Sequence, residues 1–125
     1  MKKTLIFFTI VTLTIFAYSV LISAQIYKDI EFQLSISAYE SEANAGGTAK
    51  INMNPKNKIN ISIKVYGLIP ETNYEVRSFG IYEPFTTNKS GSANIHFSTE
   101  FLSDYLIIIN AEEPTHNVLV ADDIF

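Results

Sequence analysis

From Ile30 onward, apolar and polar side chains alternate along most of the chain, and turn residues separate the alternating runs. Ile30, Phe32, Leu34, Ile36 and Ala38 interleave with Glu31, Gln33, Ser35 and Ser37. A repeat of two puts every apolar member on one side of an extended chain, so this run predicts a strand with one wet face. Ala49, Ile51 and Met53 resume the pattern after a flexible stretch at 44–47. Asn54-Pro55-Lys56-Asn57 is a turn, because proline fixes φ and asparagine accepts tight conformations. The clearest strand follows, with Ile59, Ile61, Ile63 and Val65 on one face and Asn60, Ser62, Lys64 and Tyr66 on the other. After a bend at 67–73, residues 74–79 and 82–87 read as extended. Beyond the turn Asn88-Lys89-Ser90-Gly91, Ala93, Ile95 and Phe97 alternate with Asn94 and His96. Residues 105–109 are continuously apolar, the mark of a strand covered on both faces, and Glu113-Pro114-Thr115-His116 turns the chain into a last strand at 118–121.

Seven or eight strands at spacings near ten residues, with hairpin-length loops, predict an all-β domain. Two antiparallel sheets packed on their apolar sides satisfy such a pattern, so the expected architecture is a Greek-key, Ig-like β-sandwich over residues 25–125. Residues 99–104 have room for one helical turn. No longer helical period occurs after residue 25.

The first residues have a different grammar. Lys2 and Lys3 precede an apolar run at 5–22 diluted only by Thr9, Thr12, Thr14 and Ser19. Positive charge stays on the cytoplasmic side while the apolar stretch enters the translocon, which predicts a hydrophobic export helix and a domain outside the cytoplasm. Ile22-Ser23-Ala24 suits cleavage after Ala24, making 1–24 a signal peptide; Ala17-Tyr18-Ser19 is a second cleavage candidate. The run is also just long enough to span a bilayer, so the competing reading is an uncleaved anchor holding the domain outside. A membrane is a partner only in that case.

Composition narrows the function classes. There is no cysteine, which removes disulfides, thiolate chemistry, Cys-based zinc sites and lipoprotein acylation. Basic and acidic side chains balance between residues 25 and 89. Every charge after Lys89 is negative, and loss of Lys2 and Lys3 takes the net charge from −4 to −6. A chain so charged is poorly matched to nucleic acid or to an anionic membrane surface.

Val65-Tyr66-Gly67-Leu68-Ile69-Pro70-Glu71-Thr72-Asn73-Tyr74-Glu75-Val76 resembles the fibronectin type III signature Leu-x-Pro-x-Thr-x-Tyr-x-Val. The resemblance implies a corner tyrosine at Tyr74, whose hydroxyl bonds back to the chain just upstream, with Leu68 in the core beside it and Pro70 in the turn. Gly67-Leu68-Ile69-Pro70 and Thr87-Asn88-Lys89-Ser90-Gly91-Ser92-Ala93 also resemble turns of copper/zinc superoxide dismutase-like sandwiches. In that family metal-binding histidines follow the first turn. Here the stretch is Asn73-Tyr74-Glu75-Val76-Arg77-Ser78, so a sandwich is implied and dismutase chemistry is not.

Candidate chemistry is sparse. No Gly-x-Ser-x-Gly elbow is present, and Ser90-Gly91-Ser92 sits in a plain turn. His96 belongs to the wet face of its strand, and His116 to a turn. Glu100, Asp104, Glu112, Glu113, Asp122 and Asp123 form an acidic C-terminal third that has the oxygens a calcium ion needs. Glu112 and Glu113, however, lie across the last strand from Asp122 and Asp123, about 15–17 Å away. Asn52, Asn60 and Asn94, with neighbouring Ser and Thr, give outward faces low in charge, suited to a polysaccharide or protein partner. Phe79, Tyr82 and Phe85 are expected to close one end of the core. Asn60-Ile61-Ser62 and Asn88-Lys89-Ser90 fit the glycosylation pattern. The sequence thus predicts a secreted, non-enzymatic interaction or structural domain without cofactor, against the alternative of a calcium-dependent or metal-assisted extracellular module or enzyme using the acidic C-terminal third. Mass spectrometry of the exported protein is expected to give a chain beginning at Gln25; an intact Met1 end would establish the anchor.

Overall fold

The isoleucine alternation sets the inside of the molecule. Ile61, Ile63 and Val65 are buried, while Lys64 and Tyr66 between and beyond them are exposed. A computed structural model describes residues 26–53, 58–113 and 117–125. It contains eight strands: β1 (Ile26–Leu34), β2 (Gly46–Met53), β3 (Ile59–Tyr66), β4 (Asn73–Ser78), β5 (Ile81–Thr86), β6 (Ala93–Thr99), β7 (Leu106–Asn110) and β8 (Asn117–Ala121). All pairings are antiparallel, in the order β5-β4-β7-β8-β1-β2-β3-β6. The edge strands β5 and β6 approach within 8 Å between Cα atoms without becoming ladder neighbours. The result is one nearly closed sheet around a single apolar cluster.

β1 joins the two sets of strands. Ile26–Phe32 pair with β2, and Gln33 and Leu34 pair with Val120 and Leu119 of β8. That transfer ends the regular alternation. Ile30 and Phe32 are buried, but Leu34 is exposed and Ile36 fully so, contrary to the expectation of one apolar face as far as Ala38. The cause is local: the Ser35 hydroxyl accepts the Ser37 N–H at 3.2 Å and turns the chain away. The described residues have one helical element, a 3₁₀ turn at Glu40–Glu42. Residues 99–104 form no helix. In β7 the neighbours Ile108 and Ile109 are both buried, and a bulge between them accounts for the unbroken apolar run.

Two turns interlock at the pole opposite Ile26. The Leu68 N–H donates to Gly91 O at 3.1 Å, and the Glu71 N–H donates to Asn88 O at 3.2 Å. The Thr87 hydroxyl donates to Ile69 O at 2.7 Å and accepts the Thr72 N–H at 2.9 Å. Gly67 and Gly91 have φ of 71° and 77°. A Cβ on the first would strike Asn44 O and on the second Leu68 O, so both positions require glycine.

Ile63 is wholly buried on β3, between Ala49 and Ile95 on its neighbours. Ile63→Ala is expected to cost about 3 kcal/mol, seen as a lower urea midpoint at unchanged slope.

Candidate functional site

Three cross-strand ranks run over the outer side of β1, β2, β3 and β6. Tyr27, Asn52, Asn60 and Ser98 make the first, followed by Asp29, Lys50, Ser62 and His96, then by Glu31, Thr48, Lys64 and Asn94. Period-two alternation turns these side chains away from the core, and the pairing register lines them up. The Ser98 hydroxyl donates to Asn60 Oδ1 at 2.6 Å, and Ser62 Oγ lies 2.9 Å from His96 Nδ1. Tyr27 is 70% exposed at one end of this face, and Tyr66 stands exposed beyond its far rank. Asp29, Ile30, Glu31, Thr48 and Lys50 line a shallow depression between β1 and β2.

The Ser62–His96 contact joins a hydroxyl to a base, a pairing that sequence alone did not bring together. The register of β3 against β6 creates it. β3 is paired on both sides, so its backbone N–H groups are committed to the ladder and none is free to hold an oxyanion. The dyad is a hydrogen-bonding element of the face.

The six acidic candidates do not converge. Glu112 and Glu113 follow β7 at one pole, whereas Glu100, Asp104, Asp122 and Asp123 lie at the other, around the start of β7 and the end of β8. Asp104 is otherwise engaged: its Oδ1 accepts the Phe125 N–H at 2.8 Å, and its backbone O accepts the Ile124 N–H at 3.1 Å. Among the described residues no three His, Asp or Glu side chains could hold a metal ion together. His96 is exposed on β6, and His116 lies outside the described residues.

Around the corner, Tyr74 and Leu68 are buried and Pro70 is exposed, with its carbonyl accepting the Thr72 hydroxyl at 2.9 Å. The Tyr74 oxygen accepts the Ile69 N–H at 3.0 Å and donates to Glu42 Oε2 at 2.8 Å. Glu42 Oε1 accepts the Tyr39 N–H at 3.3 Å, and the carboxylate is wholly buried. Burial pushes the Tyr74 hydroxyl well above the ordinary tyrosine range, the Ile69 N–H works against that, and the Glu42 carboxylate reinforces it. Nothing in Tyr39-Glu40-Ser41-Glu42 distinguished the second glutamate from the first.

Phe85 is half-buried and stacks on Tyr74 with ring centroids 5.8 Å apart. Phe79 and Tyr82 do not close the core as expected; they are 71% and 63% exposed. The tight β4–β5 hairpin is responsible. Phe79 occupies its two-residue tip, and Tyr82 alternates outward beneath the Arg77 guanidinium, 4.3 Å from the ring centroid. Asn60 and Asn88, the glycosylation candidates, are both exposed.

No family model, curated protein or solved structure matches this chain. Among the described residues no helix is long and apolar enough to cross a membrane, and the expected export segment at 1–24 lies outside them.

Tyr74→Phe removes the donor to the buried Glu42 Oε2 and the acceptor of the Ile69 N–H together. It is expected to cost about 2–3 kcal/mol of stability by denaturant unfolding, and to leave far-ultraviolet circular dichroism unchanged.

Proposed function

We propose that the chain is exported on its N-terminal segment and works outside the cytoplasm as a non-enzymatic binding module. Its domain is read as a Greek-key, Ig-like β-sandwich. The pairing of β4 with β5 and with β7, and the approach of β5 to β6, support this reading, since a key places its last strand beside its first in the order β7-β4-β5-β6. The transfer of β1 from β2 to β8 supports two packed layers that share one strand.

The favoured ligand is a neutral polysaccharide, held on the outer face of β1, β2, β3 and β6. One observation carries this reading: Asn52, Asn60, Ser62, Asn94, His96 and Ser98 stand in register on adjacent strands, with no net charge among them at neutral histidine. Amide and hydroxyl groups each donate and accept, which matches the hydroxyls of a sugar chain. Tyr27 and Tyr66 add amphipathic rings at opposite ends of the face. The acidic, metal-dependent alternative has less support, because its carboxylates are divided between two poles.

Affinity electrophoresis of the exported protein through neutral polysaccharides from its own envelope tests this. Retardation by at least one is expected, weakened about fivefold by Asn60→Ala and again by Asn94→Ala. Free migration through all of them would end the polysaccharide reading, and a protein crosslinked to the same face would replace it.

A further inference from the structure

We propose that the pole of the domain bearing Phe79, Phe101 and Phe125 rests on a neutral lipid bilayer, with these rings in its interfacial region. This goes beyond the polar-face reading and involves a different part of the molecule.

The register brings several ends together at this pole. Ile26 of β1 pairs with Met53, Met53 with Ile59, and Ile59 with Thr99, so the chain enters where β6 ends. Arg77 pairs with Ile107, Ile107 with Val120, and Val120 with Gln33, so the β4–β5 tip is level with β1 about five residues in from Ile26, and the contact of Phe79 with Phe101 sets the tip beside the end of β6. Phe79 and Phe101 stand edge-to-face there with centroids 6.4 Å apart, yet remain 71% and 59% exposed. Phe125 is 57% exposed with the Lys28 ammonium 5.6 Å from its ring centroid. Phe79 and Phe101 thus form an exposed pair of rings, with Phe125 exposed separately against Lys28.

Chain reach argues for lipid as the occupant. The apolar run at 5–22 ends four residues before Ile26, so the chain can carry Ile22 no farther than about 14 Å from the start of β1. A segment of that length and composition enters a bilayer, and aromatic rings favour the water–hydrocarbon boundary. Charge selects the lipid. Glu100, Asp104, Asp122 and Asp123 share the pole with Lys28 and Lys58, which disfavours an anionic surface and leaves a neutral one. After cleavage the same rings would give weak, reversible adsorption, and with the segment retained they would seat the domain against the membrane.

The chain has no tryptophan, so Phe101→Trp is a single fluorescent reporter. The exported protein carrying it is mixed with phosphatidylcholine vesicles that include lipids brominated near the interface. A blue shift with bromine quenching is expected, together with weaker binding to phosphatidylserine vesicles. Ile36→Trp, at the opposite pole and fully exposed, should keep its aqueous emission and serves as the folding and orientation control. Phe79→Ala is expected to lower partitioning of the Phe101→Trp protein about tenfold. Unchanged emission from Phe101→Trp, or equal quenching at both poles, would overturn the proposal. A blue shift that grows with protein concentration without vesicles would also overturn it, in favour of a second copy as occupant. Each of these results leaves the electrophoresis of the polar face unaffected, so the two readings fail separately.

Discussion

Apolar burial has to hold this domain without covalent help, since the chain has no cysteine. Removing aliphatic area from water supplies roughly 25 cal/mol for each Å², and ordering the backbone cancels most of the total. Small domains survive that balance only when their interior is continuous. Here Ile51, Ile61, Ile63, Leu106, Ile108 and Leu119, all essentially inaccessible, belong to one cluster fed from both sets of strands. β1 ties the two sets of strands together by leaving β2 for β8, so both contribute to the same cluster.

Polar groups inside this shell are nearly all assigned to holding turns. Thr72 and Thr87 are buried and satisfy each other across the interlocked loops. Glu42 is wholly buried and receives donors from Tyr74 and from the Tyr39 backbone. A buried carboxylate with hydrogen-bond donors contributes geometry more than net stability. Its effect is to fix the Glu40–Glu42 turn against the start of β4.

Strand existence was legible in the sequence because a period of two has one structural meaning when half of a sheet is wet. β3, β6 and β8 appear where Ile59, Ile95 and Val118 placed them. What failed depended on the third dimension. Ile36 continued an alternation in the sequence, yet the chain had already turned, because pairing with β8 ends at Leu34. Phe79 and Tyr82 were assigned inward from hydrophobicity, and a two-residue hairpin tip allowed neither to reach the core. The candidate face was half legible. Asn52, Asn60 and Asn94 were recognised as outward polar positions, but their alignment with Ser62, His96 and Ser98 arises from inter-strand register, which no single segment encodes. Glu42 was missed because a glutamate in a polar stretch reads as solvated until a tyrosine from a strand 32 positions away is found above it.

Pairing of β1 with β8 joins the first strand of the domain to its last. β1 takes β8 as a neighbour, and the Lys28 ammonium donates to the carbonyl of Ile124, 96 residues later. A polypeptide is made from its amino end, so β1 must remain without one of its flanks until β8 (Asn117–Ala121) has been added. Contacts this distant in sequence make assembly slow relative to local hairpins. They also make it late: a nascent or truncated chain lacking β8 has an open flank on β1 capable of recruiting foreign strands. The first strand therefore gains its second neighbour only once β8 has been made.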